Sequence, residues 1–74
     1  MNRSEHHFTD SQIGRAARAG AEYAMSVSIN GSGNVLFVVY GAKVRRVDAG
    51  PGWASRMWAV MQELRPEITP EREG

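Results

Sequence analysis

The residues able to do acid–base, metal or nucleophilic chemistry are few and scattered. The only two histidines, His6 and His7, are adjacent and close to the N-terminus. A general base must be held in position, and a metal site needs three or four converging ligands. A histidine pair on a frayed end meets neither condition. Asp10, Glu22, Asp48 and Glu63 are spread along the chain, with no paired-carboxylate pattern, and no Ser-His-Asp spacing is visible. The absence of cysteine removes a disulfide framework, a thiol nucleophile and any cysteine zinc site, and it fits a reducing compartment. Asn30-Gly31-Ser32-Gly33-Asn34 is glycine-rich, but a phosphate loop needs a helix behind it, and here a strand pattern follows. These residues predict a chain that is not an enzyme, with no catalytic residue, no metal site and no cofactor.

The remaining chemistry is recognition. Arg3, Arg15, Arg18, Arg45, Arg46, Arg56, Arg65 and Arg72 carry the positive charge with a single lysine, Lys43. A GC-rich genome accounts for such a bias, and so does selection for a planar fork that binds phosphate or carboxylate with two bonds. Lys43, Arg45 and Arg46 surround a candidate third strand, Arg56 lies early in the second helix, and Arg15 and Arg18 lie on the first. Together they make either a basic binding surface or a solvated rim. Arg45 and Arg46 are neighbours, so on a flat strand they point to opposite faces. On a helical wheel starting at Trp53, Trp58 falls at about 140°, beyond Met57, Val60, Met61 and Leu64, which lie within about 80°. Trp58 is therefore either an exposed anchor flanked by Arg65 or a ring folded over the helix edge to cap the core. The expected partner-binding residues are Arg45, Arg46, Arg56 and Trp58, with Lys43, Arg15 and Arg18 next.

Elements to position them are legible. Thr9 is an N-cap, Gln12 completes a capping box, and Phe8 with Ile13 has the spacing of a hydrophobic staple. Asp10 suits the positive end of the helix dipole. The helix carries small apolar residues at Ile13, Ala16, Ala17, Gly20, Ala21 and Ala24, and ends at Gly20 or near Tyr23. Met25 to Ile29 alternates as a half-buried strand. The Asn/Gly stretch is a turn, and Val35 to Tyr40 is a central strand. Lys43 to Val47 is a candidate third strand. Pro51 suits the first turn of a second helix, whose apolar face is Trp53, Met57, Val60, Met61 and Leu64. Pro66 and Pro70 stop it.

The order α-β-β-(β)-α predicts an α+β fold: a small two- or three-stranded antiparallel sheet with two helices on one face. The expected division is a flexible N-terminus over 1–7, one domain over 8–66 and a flexible tail over 67–74. The expected core is Phe8, Ile13, Ala17, Val27, Ile29, Leu36, Val38, Trp53, Met57, Val60 and Leu64. The inward face of the central strand is open, because both of its faces are apolar. A second copy would cover the face that two helices leave bare, so a homodimer is expected as one solution.

At 74 residues the chain holds one domain. Its hydrophobic fraction of 42% supports one small core. Nine basic against eight acidic residues is less basic than dedicated DNA-binding domains usually are. Its longest apolar run, Val35–Tyr40, is far short of the ~20 residues of a membrane helix, and the N-terminus has no apolar signal-peptide segment. Both predict a cytoplasmic protein with no membrane partner.

The layout resembles short accessory proteins encoded by phages and prophages of GC-rich bacteria. The residues that carry this are Phe8-Thr9-Asp10 opening a helix with Arg15 and Arg18, the hairpin from Asn30-Gly31 to Tyr40, and Pro51-Gly52-Trp53 opening the last helix. Within that class it looks most like an anti-CRISPR protein directed at a type I effector complex (Cascade). The resemblance implies a non-catalytic protein that binds subunits of the effector in the host cytoplasm and blocks target DNA binding. The alternative is a small DNA-binding accessory protein of the excisionase or repressor kind, with the same arginines on phosphates. A virion assembly subunit is a third reading.

Overall fold

Residues 6–68 are described by the computed structural model. The elements are α1 (Asp10–Glu22), β1 (Ser26–Ile29), β2 (Val35–Tyr40), β3 (Lys43–Asp48) and α2 (Trp53–Leu64). The fold is α+β, with a three-stranded antiparallel sheet in the order β1-β2-β3. Among the described residues no helix is long and apolar enough to cross a membrane.

The entry to α1 follows the sequence. The Gln12 backbone N–H donates to Thr9 Oγ1 at 3.1 Å, and the Thr9 N–H donates to Gln12 Oε1 at 3.0 Å. This reciprocal pair satisfies two donors that a helix start leaves open. Phe8 is buried, its N–H bonds the Gly33 carbonyl at 2.8 Å, and its ring meets Trp53 edge-on at 5.5 Å. The first turn of α1 is thereby tied to the hairpin and to α2.

The exit from α1 lies beyond Gly20. The Met25 N–H bonds the Gly20 carbonyl at 2.8 Å and the Ala24 N–H bonds the Ala21 carbonyl at 3.2 Å. That is a Schellman ending, with Ala24 at φ 65° in the left-handed position usually given to glycine. Gly20 is instead an interior helix residue at a close approach. A Cβ built on it would lie 2.6 Å from Val27 Cγ2 and 3.1 Å from the Met25 carbonyl oxygen.

Strand register decides the faces. Opposed residues point the same way, and Val27 opposes Val38, Ile29 opposes Leu36, and Leu36 opposes Val47. This row packs with Phe8, Ala16, Met25, Met57, Met61, Leu64 and Ile68 in one core beneath the helices. Val35, Phe37, Val39 and Val44 occupy the other face and lie outside that cluster, although Val35 is itself buried. The third strand, left open by the sequence, is present and pairs along all six residues of β2.

Several expected positions shift. Ala17 is exposed, because α1 turns Ala16, Ala19 and Gly20 inward instead. Ala16, Ala17 and Ala19 are the same residue type, so they offer no contrast by which to choose between them. Ile13, Val27, Ile29, Trp53 and Val60 line the core half-buried. Met25, Val35 and Val47 are buried although they are not in the expected core, and Met61, part of the expected apolar face of α2, is fully buried. Ile68, assigned to the tail, is 7% exposed, and its N–H bonds the Arg65 carbonyl, so the core extends past residue 66. Pro51 lies in the turn before α2, and Gly52 at φ 82° is the N-cap. The rest of the expected tail, 69–74, and residues 1–5 lie outside the described residues.

Candidate functional site

The seven expected binding residues do not form one surface; each is placed by a different local demand. Arg56 is spent on the chain itself. It donates to the carbonyls of Pro51 at 2.8 Å, Asp48 at 2.7 Å and Ala49 at 3.3 Å, holding the loop that launches α2. Gly52 has no side chain to cap the helix, so Arg56 organises the entry from one turn inside it. Arg45 shares the helix-facing side of β3 and pairs with Glu63 of α2 at 3.1 Å. It also donates to its neighbour Val44's carbonyl. Arg46 points to the opposite face and pairs with Asp48 at 2.9 Å. Lys43 and Arg18 are exposed and make no ion pair among the described residues.

Trp58 is half-buried. It folds over the edge of α2 and meets Tyr23 edge-on, with ring centroids 5.7 Å apart. This is the capping arrangement, not a fully exposed anchor. Trp53 lies under the Arg15 guanidinium at 5.7 Å.

Two surfaces emerge. The first is the sheet face turned away from the helices. Val39 opposes both Ser26 and Val44, Phe37 opposes both Ser28 and Arg46, and Val35 opposes Asp48. An apolar strip thus runs down β2 onto Val44, which is 50% exposed. Serines edge it on β1, and an ion pair edges it on β3. The second is a half-open cleft of about 130 Å³ between α1 and α2, lined by Arg15, Ala19, Trp53, Met57, Trp58 and Met61, among others. Alanines on α1 face methionine and tryptophan on α2, and the short side chains leave the space unfilled.

From the sequence Arg65 is only the neighbour of Trp58 and is not among the expected binding residues. It donates to the Tyr23 carbonyl at 2.6 Å and to Glu67 at 3.0 Å, and lies over the Tyr40 ring at 5.3 Å. The contact spans 42 residues, so no local pattern announces it. A backbone hydrogen bond at Glu67 and the Arg65 side chain hold the Glu67 carboxyl below the usual carboxylate range. Among the described residues no group of three or more His, Cys, Asp and Glu side chains could hold a metal ion.

No family model, curated protein or solved structure matches this chain.

Proposed function

We propose that this protein is a non-catalytic binding module that acts by covering a protein surface. The target is the one its resemblance implies, a type I CRISPR effector complex, which it keeps from engaging target DNA. The observation that carries the reading is the sheet face turned away from the helices. Half-buried Phe37 and Val39 and exposed Val44 stand together outside the core cluster, with buried Val35 at the end of the strip and a polar border of Ser26, Ser28, Arg46 and Asp48. An apolar centre with a polar rim is the anatomy of a protein interface. Arg46 is the basic residue of that rim. Its pair with Asp48 is exposed on both sides, and exposed pairs contribute about 0–1 kcal/mol. Exchanging Asp48 for a partner's carboxylate therefore costs little.

The test adds purified protein to the assembled effector before target DNA. Wild type is expected to prevent DNA binding. Arg46→Glu and Val44→Glu are expected to lose inhibition by about tenfold or more, with melting temperatures close to wild type, since exposed changes stay within about 0.5 kcal/mol. Unhindered DNA binding in the presence of wild type overturns the reading. Tight binding of the isolated protein to plain duplex DNA, falling steeply with salt, replaces it with the DNA-binding alternative.

A further inference from the structure

The α1–α2 cleft lies on the helical side of the molecule, away from the open sheet face, and its chemistry is different. Its lining is apolar apart from Arg15. An apolar cavity of about 150 Å³ holds a benzene ring, so a cleft of about 130 Å³ accepts one branched or aromatic side chain. Arg15 and Ala19 also border a shallower depression that continues along α1 past Arg18 to Ala21 and Glu22. Arg15 and Arg18 make no salt bridge among the described residues, and Glu22 is within ion-pair distance of neither. Neither Trp53 nor Trp58 donates its indole N–H to a protein acceptor among the described residues. The site therefore offers an apolar hole beside two guanidinium donors with no carboxylate of their own.

The geometry points to a binding site for an acidic peptide segment that carries one large apolar side chain. The side chain fills the cleft between Trp53 and Trp58, and carboxylates beside it pair with Arg15 and Arg18. Bidentate guanidinium–carboxylate pairing supplies direction, and the cleft supplies the anchor. Nucleic acid fits less well. A base needs an open aromatic face to stack on, yet Arg15 already lies over Trp53, and Trp58 is half-buried against Tyr23. The methionines of the lining, Met57 and Met61, have the side-chain freedom to adjust to leucine or phenylalanine.

The chain's only two tryptophans both line the cleft, so intrinsic fluorescence reads it directly. The probe is a blocked, tryptophan-free peptide of aspartates around one central phenylalanine. It is expected to give a saturable fluorescence change with the wild-type protein. Replacing the peptide's phenylalanine with alanine, or its aspartates with lysines, is expected to weaken binding by about tenfold or more. On the protein, Arg15→Glu and the cleft-filling Ala19→Leu are expected to do the same. The peptide variants keep the test valid should Ala19→Leu misfold. No saturable change up to about 1 mM peptide overturns the proposal. So does an equal response to the lysine peptide, or a response to oligothymidylate where the acidic peptide gives none. The outcome is independent of the sheet-face reading, which Arg46→Glu and Val44→Glu probe on the other side.

Discussion

Arg65 donates to the carbonyl of Tyr23 at 2.6 Å. Each is the C-cap of its helix, so the end of α2 is tied directly to the end of α1. The guanidinium is half-buried and also lies over Tyr40 of β2, so one side chain joins both helices to the sheet. Arg65→Ala is expected to cost about 1–3 kcal/mol, the range for losing a charged hydrogen bond from a part-buried acceptor. Arg65→Lys keeps the charge without the fork and is expected to recover part of it. Urea unfolding of the three proteins checks this; equal midpoints would show that the contact contributes nothing.

Ala24 sits at φ 65° in a Schellman ending. The left-handed conformation costs a non-glycine residue about 1–2 kcal/mol, while glycine loses about 0.5–1 kcal/mol in chain entropy. Ala24→Gly is therefore expected to stabilise by about 0.5–1 kcal/mol. For a domain of this size that raises the melting temperature by about 2–8 °C. Calorimetry on the pair decides it, and a lower melting temperature for the glycine variant contradicts the assignment.

Gly20 makes the opposite prediction. In a solvent-facing helix Gly→Ala gains about 1 kcal/mol. Here the added methyl meets Val27 Cγ2 at 2.6 Å and a backbone carbonyl at 3.1 Å, so Gly20→Ala is expected to destabilise by about 1–3 kcal/mol. Val27→Ala removes the nearer of the two obstacles. In a double-mutant cycle the pair is expected to cost less than the sum of the singles; strict additivity would show that α1 does not press on β1 at this point.

Glu67 gives a pH dependence. Its carboxyl is held below the ordinary value of 4.5, first by a backbone hydrogen bond and then by Arg65. The folded pKa is the lower one, so its contribution to stability is complete above the unfolded value. It is lost as pH falls through the folded value. Glu67→Gln is expected to narrow the drop in melting temperature between about pH 7 and about pH 3. An unchanged drop removes Glu67 from the acid response.

Local chemistry determined much of this fold from the sequence. Thr9 and Gln12 cap α1 because the groups that satisfy each other lie three residues apart. Asn30 to Asn34 turn the chain because Asn30 Oδ1 can accept from both the Asn34 and Val35 N–H groups, at 3.0 Å each, while Gly33 takes φ 76°. The period of Trp53, Met57, Val60, Met61 and Leu64 marks the face of α2, and it places Trp58 at its edge, where the ring is found. Tertiary structure alone decided the rest. β2 is apolar on both sides, so only register and helix placement choose Leu36 and Val38 as inward. The alanines of α1 carry no contrast, so Ala16 and Ala19 face α2 while Ala17 faces water. Arginine types announce binding, but Arg56 is drawn to carbonyls of the loop just before its helix, and Arg65 to a carbonyl 42 residues away that becomes a neighbour only after the chain has folded. Ile68 looks like tail until the core leaves a place for it. Capping, turns and amphipathic period depend on residues a few positions apart. Face choice, the Arg65 contact with Tyr23 and the end of the core depend on residues far apart in sequence, whose proximity exists only in the folded molecule.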